Sequence, residues 1–336
     1  MRRTIACVVV LVMAFMARAD DGQDAVREAI MKGIARLEKG SASYIENRQC
    51  FSCHHQALSI AALQSAKSRG FKVNDENFKH QFEFTLESFR PNLAKIVKGQ
   101  SIPGGNTMSA YALFTLESAN HKPDETTAAL VEYLLIKQKA DGSWPALANR
   151  PPTEGSIFTN NANALRALMV YGPDQDAKDA DELRTRIDTA FAKGRDWLLK
   201  NKPQTTEDKV FRLRGLVSAG AEREAIDAAR DLLLKEQGKD GSWAQLPDRE
   251  GDAYATGSAL MALRQAGVKP DNDAYLGAVR YLLKTQRDDG AWIVETRSRP
   301  VQTFFDNGDP GGKSQFISFA TTGWAVLALL ETCPIR

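Results

Sequence analysis

Two cysteines and two histidines crowd into one short stretch, Gln49-Cys50-Phe51-Ser52-Cys53-His54-His55-Gln56, of a chain that has only four of each in 336 residues. Thiols and imidazoles at this spacing offer several chemistries. Cys50-x-x-Cys53-His54 is the pattern that attaches c-type haem: two thiols reach the vinyl groups and the adjacent His binds iron. The second axial ligand would come from His55, His80, His121 or Met108, and Met108 would give the higher potential. The same residues could instead hold Zn²⁺, although neighbouring histidines rarely reach one ion and no fourth donor is evident. Cys50 and Cys53 could form a redox disulfide, with His54 lowering a thiol pKa at a helix start. Packing without chemistry is the bland alternative.

The compartment decides which of these is open. The chain begins MRRTIACVVVLVMAFMARADDG, with basic Arg2 and Arg3, an apolar stretch from Ile5 to Met16, and Ala17-Arg18-Ala19 as a small-x-small site. This reads as a signal peptide over residues 1–19, cut before Asp20, and it predicts a periplasmic or secreted protein. The apolar stretch is too short to span a bilayer, so no stable membrane insertion is expected. Three of the 44 basic residues (Arg2, Arg3, Arg18) leave with that segment, so 41 remain beside 42 acidic ones. So even a balance gives no electrostatic case for nucleic acid or an anionic membrane. Cys50, Cys53 and Cys333 remain after the cut, and an odd count argues against a disulfide framework.

Repeats organise the rest. YLLIKQKADGSW ends at Trp144, LLLKEQGKDGSW at Trp243 and YLLKTQRDDGAW at Trp292, each with Gln six residues before Trp. Trp243 and Trp292 are 49 residues apart and Trp144 and Trp243 are 99 apart, so a degenerate copy belongs between them, begun by GRDWLLKNK. Such periods mean stacked supersecondary units. Each reads as two helices joined by an Asp-Gly turn. First helices are expected near 24–39, 75–97, 125–139, 178–201, 222–237 and 272–286. Their partners are expected at 56–69, 107–119, 160–170, 209–219, 253–266 and 318–330. No period-2 strand run appears. The expectation is an all-α chain of six hairpins.

The Gln-x3-Asp-Gly-Ser/Ala-Trp pattern resembles the QW motif of the squalene–hopene cyclase and protein prenyltransferase class. The resemblance implies an (α/α)6 toroid over residues 20–336, with outer helices tied by Gln and Trp and the first repeat meeting the sixth. The final loop, ETRSRPVQTFFDNGDPGGKSQF, looks like the C-terminal segment of bacterial squalene-cyclase-like toroid proteins, and its Gly/Pro-rich part should cover one mouth of the ring. The class also implies chemistries that this sequence can be tested against. Its cyclases use an Asp-x-Asp-Asp acid. The nearest match, Asp179-Ala-Asp-Glu182, sits in a charged run at an outer-helix start, where acids usually serve the helix dipole. The prenyltransferases hold zinc with Asp, Cys and His from the second half of the ring, where this chain has no histidine. Cys53-His-His-Gln56 also has the spacing of the thioester in complement-like α/α toroids, but with bulky histidines between the two partners.

The expected function is therefore an exported toroid with a candidate haem c site at Cys50, Cys53 and His54, acting in electron transfer with an unidentified redox partner. Two alternatives stand beside it. One is a non-catalytic scaffold whose cavity holds a small apolar or glycan-like ligand. The other is a terpene-cyclase-like enzyme with an unrecognised acid. Trp144, Trp243 and Trp292 are expected as structural wedges, and Asp141, Asp240 and Asp289 as turn caps.

Overall fold

The computed structural model describes residues 2–173, 181–299 and 304–335, with side chains from Gly22 onward. Six outer helices alternate with six inner ones. The outer set is α1 (Arg2–Asn47), α3 (Asp75–Glu87) extended by a short α4 (Leu93–Ile96), α6 (Glu125–Lys137), α8 (Asp181–Lys200), α10 (Arg223–Leu234) and α12 (Asp273–Thr285). The inner set is α2 (Leu58–Ser68), α5 (Gly105–Ser118), α7 (Ile157–Tyr171), α9 (Thr206–Ser218), α11 (Ala253–Gln265) and α13 (Gln315–Leu330). A two-residue β-ladder pairs Trp243–Ala244 with Gly251–Asp252. The all-α (α/α)6 toroid follows.

Local chemistry sets the ends. Three inner helices, α7, α9 and α13, start three residues earlier than their apolar patterns suggest, and polar caps precede the first two; α11 starts where expected. Ser156 accepts from the Thr159 N–H, and Thr205 and Asp208 form a reciprocal capping box at the start of α9. Pro91 breaks the expected 75–97 helix, since its ring cannot continue the ladder. Inner helices are buried nearly all round, as in α13, where every residue except Phe316 is buried. The exposed side of α10 carries its charges instead.

The glutamine–tryptophan pairs do more than cap. Trp144, Trp243 and Trp292 are fully buried, and each indole N–H donates back to its own outer helix, at Leu134 O (2.7 Å), Leu233 O (2.8 Å) and Leu282 O (2.8 Å). Each Gln amide donates forward to the next outer helix: Gln138 to Ala190 O (2.7 Å), Gln237 to Ala274 O (2.7 Å) and Gln286 to Ala29 O (2.9 Å). The last of these joins the sixth repeat to the first. Inside the ring, α13 packs on α2, and a Cβ on Gly323 would collide with Leu58. The ring is closed.

The expected cut before Asp20 falls inside α1, among residues whose side chains lie outside the described set. Asp179 lies outside the described residues as well; Asp181 and Glu182 are exposed at the start of α8. Among the described residues no helix is long and apolar enough to cross a membrane.

Candidate functional site

The Cys-His stretch opens α2 through a π-turn, Cys53–Ala57, capped by Ser52, whose Oγ accepts from the His54 and His55 amides. π-turns insert a residue into the helix and recur at functional positions. Here the turn sends Cys53, His55 and Gln56 inward and leaves Cys50 exposed. Opposite them comes the final loop, which is not a surface excursion at this point: Asn307 and Asp309 are 1% and 6% exposed.

His55 is fully buried, its ring stacked between Tyr44 (4.6 Å) and Phe319 (4.0 Å). Its Nε2 donates to Asp309 Oδ2 at 2.8 Å, and the other carboxylate oxygen pairs with Arg36 of α1 at 3.0 Å. Asn307 Nδ2 donates to Asp309 Oδ2 (2.8 Å) and to Gly40 O (3.3 Å). Ser43 donates to Asn307 O at 2.6 Å. Gly40 is required here, since a Cβ would strike Phe319 and Asp309. His54 Nδ1 lies 2.5 Å from His55 Nδ1 and 2.8 Å from Ser52 Oγ. Desolvation lowers the pKa of both imidazoles; a neighbouring His55 and Arg150 lower His54 further, while Asp309 partly offsets the effect on His55. With Nε2 of a neutral His55 donating, its Nδ1 accepts, so His54 donates through Nδ1.

This arrangement does not fit haem attachment. Cys53 is 1% exposed and its thiol donates to Glu154 Oε1 at 3.4 Å; burial and that carboxylate raise its pKa. It therefore faces the ring interior while Cys50 faces solvent. His55 has both nitrogens engaged and Met108 is buried against Gly104, so neither is free as an axial ligand. His80 is exposed on outer helix α3. His121 lies beside Asp124 (3.0 Å), after the C-terminal end of α5. Among the described residues no group of three or more His, Cys, Asp or Glu is placed to hold a metal. Cys50, Cys53 and Cys333 are free thiols, not a disulfide. Gln56, the other thioester partner, spends its amide elsewhere: Nε2 donates to Gln81 and Oε1 accepts from the Ser52 N–H, both at 3.0 Å. The stretch is a buried clasp between the first and last repeats.

Two features of the interior were not singled out by sequence reasoning. The first is Glu207, in the first turn of α9. Its carboxyl is 5% exposed and accepts from Thr159 Oγ1 (3.0 Å) and Tyr254 OH (3.2 Å). Burial pushes its pKa up to about 8, against the pull of those two hydroxyls. The second is a cavity of about 400 Å³ at the mouth formed by the C-terminal ends of the inner helices. Phe114, Ala162 and Met261 give it apolar walls, and Arg166, Arg214 and Arg264 enter it. A signal for both existed in TTEDKVFRLRG: Glu207 and Arg214 are seven residues apart, on one side of a helix otherwise occupied by Val210 and Phe211.

Asp141 and Asp240 accept from the N–H and hydroxyl of Ser143 and Ser242, and Asp289 from the Ala291 N–H, so these acids cap their turns.

Comparison with known proteins agrees with this architecture. Residues 176–335 match the squalene-hopene cyclase C-terminal domain. The chain is 29% identical to drimenyl diphosphate synthase of Streptantibioticus cattleyicolor over 191 residues, 52% of this chain and 32% of that protein. It is 39% identical to the squalene–hopene cyclase of Zymomonas mobilis over 108 residues, 31% of this chain and 15% of that protein. The aligned parts thus span a third or less of these relatives. In structure it is similar to the type II terpene cyclase MstE from Scytonema, with TM-score 0.54 at 14% identity over 93% of this chain and all of that one. A glycosidase solved with glucose shares the fold at TM-score 0.53 and 12% identity, over 90% and 98% of the two chains. The QW-type repeats, the closed ring and these likenesses together show a squalene-cyclase-like (α/α)6 toroid fold, with the sequence match to that family lying in residues 176–335.

Proposed function

We propose that the protein is an exported binding toroid that takes an apolar-bodied small molecule in the cavity at the C-terminal mouth of its ring. The observation that carries this is the cavity itself, about 400 Å³, with apolar walls from Phe114, Ala162 and Met261. That size and lining suit a small ligand. A neutral apolar fluorophore, N-phenyl-1-naphthylamine, tests it. Saturable binding to the wild type and its loss in the cavity-filling variant Met261→Trp are expected. Equal binding by both proteins would refute the assignment.

A second reading, a proton-donating enzyme, is favoured by Glu207. It is a carboxylic acid held protonated at neutral pH inside the ring. An acid this weak suits protonation of an oxygen, as in a carbonyl or epoxide, better than protonation of an unactivated alkene. Phe211 and Trp324 are both almost fully buried, and Arg214, which lines the cavity, rests on both rings. The binding reading is preferred because Glu207 is not among the residues that line the cavity.

A further inference from the structure

The cavity's charges do not balance. Glu117 pairs with Arg166. Glu331 accepts from Arg264 at 3.0 Å and from Arg69, behind the cavity wall, at 2.7 Å. Two carboxylates thus serve three guanidinium groups. Arg214, from α9, is the fourth, and among the described residues it has no carboxylate partner. Its Nε donates to Gln265 Oε1 at 3.3 Å, and its two terminal nitrogens have no hydrogen-bond partner among the described residues. The guanidinium lies over the rings of Phe211 and Trp324, each 5.2 Å away, and Phe114 is 6.0 Å away. Desolvation lowers its pKa, and nearby Arg166 adds to the effect, while Tyr111, Glu117 and Glu207 offset part of it without making a hydrogen bond to its terminal nitrogens.

A half-buried, unpaired charge is costly, and proteins pair such groups or use them. A purely structural role would be met by the aromatic faces alone, but those leave the planar fork of terminal N–H donors unused. That fork matches two oxygens of one carboxylate or phosphate. Phe114, Ala162 and Met261 line the same space and offer apolar surface to whatever is attached to such a head.

We propose that the ligand of this cavity is an anionic amphiphile, whose carboxylate or phosphate head is held by the terminal nitrogens of Arg214 and whose apolar body lies against Phe114 and Met261. This rests on the binding reading above and names the ligand class for the same site. Arg166 and Arg264, already paired, set the rim and add positive potential. Gln265 holds the Arg214 fork in place.

The test is displacement of bound N-phenyl-1-naphthylamine by three probes of equal chain length: dodecanoate, dodecyl phosphate and dodecanol. Charge-assisted hydrogen bonds of this kind are worth roughly tenfold or more in affinity. The wild type should therefore bind dodecanoate, dodecyl phosphate or both at least about tenfold tighter than dodecanol. Whichever head binds tighter identifies the source of the anion. Arg214→Met should abolish that preference while keeping dodecanol binding, which also shows that the variant is folded. Equal affinity for all three probes in the wild type, or a preference that survives in Arg214→Met, would overturn the anion assignment and leave the cavity reading intact. Failure of the fluorophore and of every probe to bind the wild type would sink both.

Discussion

Asp309→Ala should be among the most damaging single changes in the molecule, although Asp309 lies in a glycine-rich loop. Its carboxylate joins three partners from separate parts of the chain: Arg36 of α1 at 3.0 Å, His55 of the π-turn at 2.8 Å and Asn307 of its own loop at 2.8 Å. Arg36 is only 8% exposed, so removing Asp309 strands a guanidinium in the protein interior. Breaking one side of a buried pair costs about 3–5 kcal/mol, because the remaining charge is uncompensated. His55 also loses the acceptor for its Nε2–H, and an unmet buried donor costs about 1–3 kcal/mol. The two losses share one site and do not add fully. A destabilisation of roughly 4 kcal/mol is expected, a large share of a typical 5–15 kcal/mol total. Urea unfolding followed by circular dichroism would give the size. Hydrogen exchange would give the place, with protection lost first in α1 and α13, where the ring closes. Replacing both partners by apolar residues, Arg36→Met with Asp309→Leu, should recover much of the loss. A cost below about 1 kcal/mol for Asp309→Ala would refute the clasp as an energetic unit.

Other consequences are equally open to measurement. Trp243→Ala removes a fully buried indole that donates to Leu233 O, and should cost about 3–5 kcal/mol; an unchanged melting temperature would contradict its structural role. Glu207 has its pKa raised to about 8, so the native state holds a proton that the unfolded chain releases near 4.5. Stability should therefore fall as pH rises from about 4.5 to 8, by up to ~1.4 kcal/mol per unit. His54 and His55, both lowered, act in the opposite sense, and their contribution is lost as pH falls below 6.5. The window from pH 7 to 8 isolates Glu207, and Glu207→Gln should flatten the slope there; an unchanged slope would mean that Glu207 is ionised. Protein exported through a host carrying the c-type maturation machinery should begin at Asp20 and be colourless. A Soret band that survives acid–acetone extraction would show that Cys53 can leave Glu154 and accept haem.

The fold was legible in the sequence because its signals repeat. Gln138, Gln237 and Gln286 recur at one distance from Trp144, Trp243 and Trp292, and the same geometry recurs at the three outer-helix junctions that follow them. Helix starts were harder, since the capping residues Ser156 and Thr205 look like loop until their amide partners are known. The site was less legible. CxxCH is a local pattern, and its meaning turned on Asp309, 254 residues from His55, and on Glu154, 101 residues from Cys53. No local spacing encodes those contacts. Arg214 and Glu207 sit among other charges of α9, and their shared helix face was the one local signal that set them apart. The closed ring shows what they meet there, a cavity for one and a pair of hydroxyls for the other.

The most direct measurement is a crystal structure of the protein grown with dodecanoate. The expected result is continuous density along Phe114 and Met261, ending in a carboxylate at the terminal nitrogens of Arg214, with the Asp309–His55 clasp unchanged. Density for the ligand elsewhere, or an empty cavity at saturating dodecanoate, would contradict the account.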